Sequence, residues 1–313
     1  MKPPDVLVLG VGGTLGEAWL SGFLAGAGQQ GDIDFRQSAH FVGTSAGSIV
    51  AARLAAGRPP RRPAGPTAAG LAWQASPAAL SPTRTAVERL ARFPLGNPLS
   101  AVGAALRAAR PGRALARAVL LARLPPGRIP LDDLSARIAA LGPRFDGRLR
   151  VVAVDARTGH RVVFGAPDAP DAEVPDAVAA SCAVPGLFRP VRIGGRDYVD
   201  GGVWSPANLD VAPVRPGTRV LCLVPTAALS AGDRIAVRAL GHSWRAAVAV
   251  EAAGARRRGA RVTIIGPDAG SSAAMGADLM DASRRDEVAS AGFAQGMAAA
   301  ASLAPLAGRA GHG

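Results

Sequence analysis

Gly43-Thr44-Ser45-Ala46-Gly47 follows directly on the apolar run Ala39-His40-Phe41-Val42. The pentapeptide has the form G-x-S-x-G. Its setting is a strand that runs into a sharp turn, and a helix (Ile49 to Ala56) leaves the turn. Such a turn pushes the serine side chain out into the open, and the flanking glycines leave room for strand and helix to approach closely. Ser45 is therefore a candidate nucleophile. What it attacks, and which group takes its proton, depends on the rest of the chain.

Upstream, Val6-Leu7-Val8-Leu9 is a short apolar run ending in glycine, which reads as a buried strand, and a helix is expected over Thr14 to Gln29. Strand, helix, strand, helix implies a parallel sheet of the α/β class. Downstream the pattern breaks at Arg58-Pro59-Pro60-Arg61-Arg62-Pro63, where proline removes donors and restricts its neighbours. Short helix-like pieces follow near Thr85 to Phe93, Ser100 to Ala109 and Arg113 to Leu124. In the last of these, Arg110, Arg113 and Arg117 recur at helical spacing, with Leu115, Val119 and Leu120 elsewhere on the wheel. Residues 58–128 thus read as an inserted basic helical cap within a single domain over 1–313. Regular α/β reading resumes with helices at Leu131 to Leu141 and Val174 to Ser181. Strands are expected at Leu149 to Val154, Arg161 to Phe164, Asp197 to Val199 and Thr218 to Val224. A long helix from Asp233 to Arg257, a strand at Val262 to Ile265 and a helix from Arg284 to Ala301 complete the pattern.

Composition agrees with a globular protein: 313 residues, 49% of them hydrophobic, are enough for a large core. The net charge of +13 is unevenly spread. Residues 58–128 hold 12 arginines and one acid, Glu88, which leaves 24 basic and 22 acidic residues elsewhere. That segment suits an anionic partner. Two cysteines, Cys182 and Cys222, do not make a disulfide framework. With no signal-like region at Met1-Lys2-Pro3-Pro4-Asp5, they point to a reducing, cytoplasmic setting. Val288 to Gly308 lacks charge but is rich in alanine and glycine, and reads as a packed helix rather than a membrane span.

The first strand ends in Gly10-Val11-Gly12-Gly13-Thr14-Leu15-Gly16. A glycine-rich turn at a helix N-terminus presents N–H groups to an anion. A dinucleotide turn needs G-x-G-x-x-G, whereas Leu15 stands at the sixth position and no acid ends the next strand. The other reading is an oxyanion hole, with Gly12 and Gly13 as donors. For the base, four histidines are available: His40, His160, His242 and His312. A carboxylate held against the serine serves equally. Asp200, in Tyr198-Val199-Asp200-Gly201-Gly202, is the candidate, with turn capping as its bland alternative.

Taken together, the glycine loop, G-T-S-A-G, D-G-G and the run Ala180-Ser181-Cys182-Ala183-Val184-Pro185-Gly186-Leu187-Phe188 resemble the patatin-like phospholipase family. The likeness covers residues 5–57 and 130–300. It implies a three-layer α/β/α sandwich with a mainly parallel sheet, acting as a lipid acyl hydrolase through a Ser–Asp dyad. Carried over, Ser45 is the nucleophile, Asp200 the base, and Gly12 and Gly13 the oxyanion donors, with an acyl-enzyme on Ser45. Cys182 falls in a packing position. The expected substrate is a phospholipid or lysophospholipid ester, with no metal or organic cofactor. The family loop usually reads G-G-G-x-Arg/Lys-G, so Val11 and Leu15 depart from it.

The basic segment would then give peripheral contact with an anionic membrane. Nucleic acid is not an expected partner, since only Trp73 and Phe93 interleave the arginines. The rival readings are a carboxylesterase with a Ser45–Asp200–His242 triad, and a non-catalytic lipid- or protein-binding module on the same fold.

Overall fold

A computed structural model describes residues 1–63, 114–125, 127–227, 235–276 and 278–303. Its centre is one mixed sheet of eight strands. β1 (Val6–Leu9) leads into α1 (Gly13–Gly31), and β2 (His40–Thr44) leads into α2 (Ala46–Ala55). After α3 (Ala114–Arg123) and α4 (Asp132–Ala139) come β3 (Leu149–Asp155) and β4 (Arg161–Phe164). Next are α5 (Val174–Ser181), β5 (Val191–Ile193) and β6 (Arg196–Asp200). The chain continues with β7 (Arg219–Leu223), α6 (Ile235–Arg257), β8 (Arg261–Ile265), α7 (Ala269–Met275) and α8 (Arg285–Leu303).

Strands β3, β2, β1, β7 and β8 run parallel, which is the doubly covered sheet that the apolar strands demand. Successive residues of β1 serve opposite faces. Leu7 and Leu9 pack with side chains of α1, α2, α4, α5 and α8. Val6 and Val8 pack with Leu209, Ala212 and the α6 residues Val248, Ala252 and Ala255. The expected α/β sandwich is therefore present. Strands β4, β5 and β6 add an antiparallel flank. β5 had no counterpart among the expected strands, because Val191-Arg192-Ile193 is too short to show alternation.

This flank decides where the site lies. β2 pairs with Leu149–Val152 of β3, and β6 with Ala153–Asp155. β4 pairs with Val151–Val154, overlapping both, so β2 and β6 share the opposite edge of β3. Thr44 lies beside Val152 and Asp200 beside Ala153. The end of β2 and the end of β6 thus meet at consecutive residues of one strand.

α8 is a packed helix, as its composition suggested. It lies against α1 so closely that a Cβ at Gly22 or Gly26 would collide with the carbonyls of Ala289 or Phe293. Gly292 and Gly296 are equally tight against Trp19 and Phe23. Among the described residues, no helix is long and apolar enough to cross a membrane.

Most of the expected cap, residues 64–113 and 126, lies outside the described residues. Its last helix, expected at Arg113 to Leu124, is present as α3. Arg117 is buried, while Leu115 is 75% exposed and Val119 40% exposed. The Arg117 guanidinium lies 3.9 Å from the centre of the Trp204 ring, and its Nε donates to the Gly159 carbonyl at 2.9 Å. A wheel that treats arginine as the solvated side cannot anticipate a stacking partner so distant in sequence.

Candidate active site

Ser45 stands between β2 and α2 with φ 53° and ψ −123°, one of three non-glycine residues with positive φ among those described. Such a backbone costs energy and persists only where the surroundings hold it. Here the surroundings are specific. The Ser45 N–H donates to Ser181 Oγ at 2.9 Å, and Ser181 Oγ donates to the Val152 carbonyl at 2.6 Å. Ser48 Oγ donates to the Ser45 carbonyl at 2.6 Å. A Cβ on Gly47 would run into the Leu9 carbonyl, and one on Gly43 would sit 2.5 Å from Ser48 Cα. Both glycines of the motif are therefore required by close approach.

Asp200 ends β6 and is 5% exposed. Burial pushes its carboxyl up to about 7, and hydrogen bonds from the Ser45 side chain and the Gly202 N–H oppose that rise. The Gly202 N–H donates to Asp200 Oδ1 at 2.7 Å. The Asp200 N–H donates to the Ala183 carbonyl at 2.9 Å, so the motif around Ser181 braces both side chains. Gly201 cannot carry a side chain, since its Cβ would meet the Val152 carbonyl and lie 2.9 Å from Thr44 Cγ2.

Gly12 and Gly13 sit at the start of α1, where a helix offers its first N–H groups no carbonyl. Gly13 has φ +60°, and a Cβ there would lie 2.7 Å from Met280 Sδ. The two departures in this loop are both accommodated. Val11 is nearly buried, and its Cγ1 lies 2.9 Å from where a Gly202 Cβ would stand. Leu15 is fully buried in the core, and its N–H donates to the Leu279 carbonyl at 3.0 Å. A charge at that position would have no place among these apolar neighbours.

Cys182 is a buried free thiol, 3.9 Å from Ser48 Oγ, and burial pushes its titration upward. Its surroundings suit packing. His242 and His160 are exposed, and His40 opens β2, at the far end from Ser45. His312 is outside the described residues. The groups that shift Asp200 are Ser45 and Gly202, with no histidine among them. Sequence reading missed the bracing role of Ser181, although the residue stood within a quoted motif. It also missed Asn208, which reaches Thr44 from beyond the D-G-G turn and carries no local signal.

Ser45 at its elbow and the buried Asp200 carboxyl thus stand at the ends of two strands on one edge of β3. The family model described as patatin-like phospholipase matches residues 7–213, more than half of the chain, and the chain belongs to that family. Lipid acyl hydrolase activity is the general activity that goes with it. Among solved structures the chain is similar to VipD from Legionella pneumophila, at 18% identity and a TM-score of 0.41. That match covers 96% of this chain and 67% of the VipD chain.

Proposed function

We propose that the protein cleaves carboxylic esters of phospholipids or lysophospholipids with Ser45 and Asp200 as a dyad. The observation that carries this reading is the placement of Ser45 and of the buried Asp200 at strand ends that meet at consecutive residues of β3, where burial pushes the Asp200 carboxyl up to about 7. A base with that value is half ionised at neutral pH and strong enough to take the serine proton.

Ser45 Oγ attacks the ester carbonyl carbon while its proton passes to Asp200. The carbonyl oxygen becomes an anion, which the Gly12 and Gly13 N–H groups receive. The C–O bond to the alcohol then breaks, and the leaving oxygen takes the proton from Asp200. Water attacks the resulting acyl-enzyme, gives its proton to Asp200, and Ser45 leaves with that proton restored. The exposure of His242 on α6 favours the dyad over the triad.

We further propose a cytoplasmic protein that meets anionic membranes peripherally through residues 58–128. The arginines of that segment other than the buried Arg117 support this, as do Leu115 and Val119, which α3 leaves exposed for acyl chains. The test is an activity screen over short-chain esters, lysophospholipids and diacyl phospholipids. Fatty acid should be released by wild-type protein, with kcat/KM rising with pH through a midpoint near 7. Asp200→Asn should lose at least about a hundredfold in kcat. An Asp200→Asn variant with wild-type turnover would contradict the dyad.

A further inference from the structure

Asn208 is fully buried, in the left-handed conformation at φ 52°. Its side chain sits between the two arms of the site. The two N–H groups of Nδ2 serve three acceptors: the Ser205 carbonyl at 2.8 Å, Thr44 Oγ1 at 3.1 Å and, as a longer shared contact, the Gly201 carbonyl at 3.4 Å. Thr44 immediately precedes Ser45, and Gly201 immediately follows Asp200. One amide group therefore grips the chain next to each member of the dyad.

The amide orientation is fixed by chemistry. Arg161 Nη1 donates to Asn208 Oδ1 at 3.1 Å, and a guanidinium has no acceptor to offer a flipped NH2 group. A flip would also set the amide oxygen against two carbonyl oxygens. Arg161 is itself held by a two-point ion pair with Asp210, at 2.6 and 2.8 Å. Its guanidinium lies 4.9 Å from the centre of the Trp204 ring, the same ring against which α3 stacks Arg117.

We infer that Asn208 is a positioning residue for the dyad. It sets the spacing between the elbow that carries Ser45 and the turn that carries Asp200, and Arg161 orients it for that task. The inference rests on the dyad reading. A buried amide that donates to Ser205 and Thr44 and shares a longer contact with Gly201 holds the two arms more rigidly than packing of Thr44 Cγ2 against Gly201 alone. A loosened pair leaves Ser45 out of line with Asp200, and small misplacements of reacting groups carry large rate penalties.

The test uses Asn208→Gly, which suits the positive φ and removes only the amide, and Thr44→Val, which removes the same bond from its other end. Steady-state kinetics on a lysophospholipid are combined with the rate of fluorophosphonate labelling of Ser45 and with a thermal melt. Asn208→Gly should melt cooperatively, keep KM within about twofold and lose roughly 10- to 100-fold in kcat. The pH midpoint of kcat/KM should move upward, because a weaker Ser45 hydrogen bond no longer favours ionised Asp200. Thr44→Val should shift both quantities the same way by less, and the double variant should fall short of the product of the singles. Wild-type kcat and midpoint in folded Asn208→Gly would overturn the inference, as would a loss confined to KM. If Asn208→Gly fails to fold, Thr44→Val decides alone by the same two quantities. Wild-type protein that neither labels nor hydrolyses would sink the dyad itself, a result distinct from labelled wild type with indifferent variants.

Discussion

At the scale of single residues, the account turns on a carboxyl whose burial is expensive. Asp200 has an ordinary value of 3.8 and is pushed to about 7 by desolvation. The native state therefore keeps a proton that the unfolded chain gives up above about pH 4. Stability is fullest below that pH and falls as pH rises toward 7. Asp200→Asn fills the same space without an ionisable proton. It should match wild type near pH 4 in a thermal or urea melt and exceed it at pH 8 by about 1–4 kcal/mol. Equal stabilities at pH 8 would mean that Asp200 is far better solvated than its burial indicates. G-x-S-x-G and D-G-G were legible in the sequence because their glycines answer local demands: Gly43 and Gly47 for close approach, Gly201 for lack of room. Ser181 and Asn208 were not legible as parts of the site. Their partners, Val152 and Thr44, are brought beside them only by tertiary packing, of α5 on β3 and of the loop after β6 on the end of β2.

At the scale of elements, α1 and α8 are joined by glycines, and this makes the helix beneath the glycine loop rigid. A Cβ at Gly26 would collide with the Phe293 carbonyl, and that carbonyl cannot move without displacing α8. Gly26→Ala should lower stability by about 2–3 kcal/mol through overpacking. Gly270→Ala on α7 is the control, since the nearest atom to its Cβ is Asp268 Oδ1 at 3.7 Å. It should be neutral or slightly stabilising. Equal melting temperatures for Gly26→Ala and wild type would refute the tight crossing. Apolar runs and helical periods were enough to place the parallel strands and their helices. They missed β5, an edge strand of three residues, and they placed α3 without revealing that Arg117 faces inward, where Trp204 receives it.

At the scale of the whole molecule, charge and chemistry are separated along the chain. Residues 58–128 carry nearly all of the excess positive charge, while the rest is close to neutral. Binding to lipid should then follow the anionic fraction of the surface. In a vesicle-pelleting assay, the bound fraction should rise as anionic lipid is added and fall as salt is raised from ~0.05 to ~0.5 M, where screening is stronger. Equal binding to neutral and anionic vesicles would contradict a role for those arginines.

The dyad is tested most directly by intact-protein mass spectrometry after exposure to a fluorophosphonate ester. Wild-type protein should gain one phosphonyl group, mapped to Ser45, at a rate that rises with pH through a midpoint near 7. Ser45→Ala should gain none, and Asp200→Asn should label at least about a hundredfold more slowly. Folded wild-type protein that takes up no label at Ser45, or Asp200→Asn protein that labels as fast as wild type, would contradict the account.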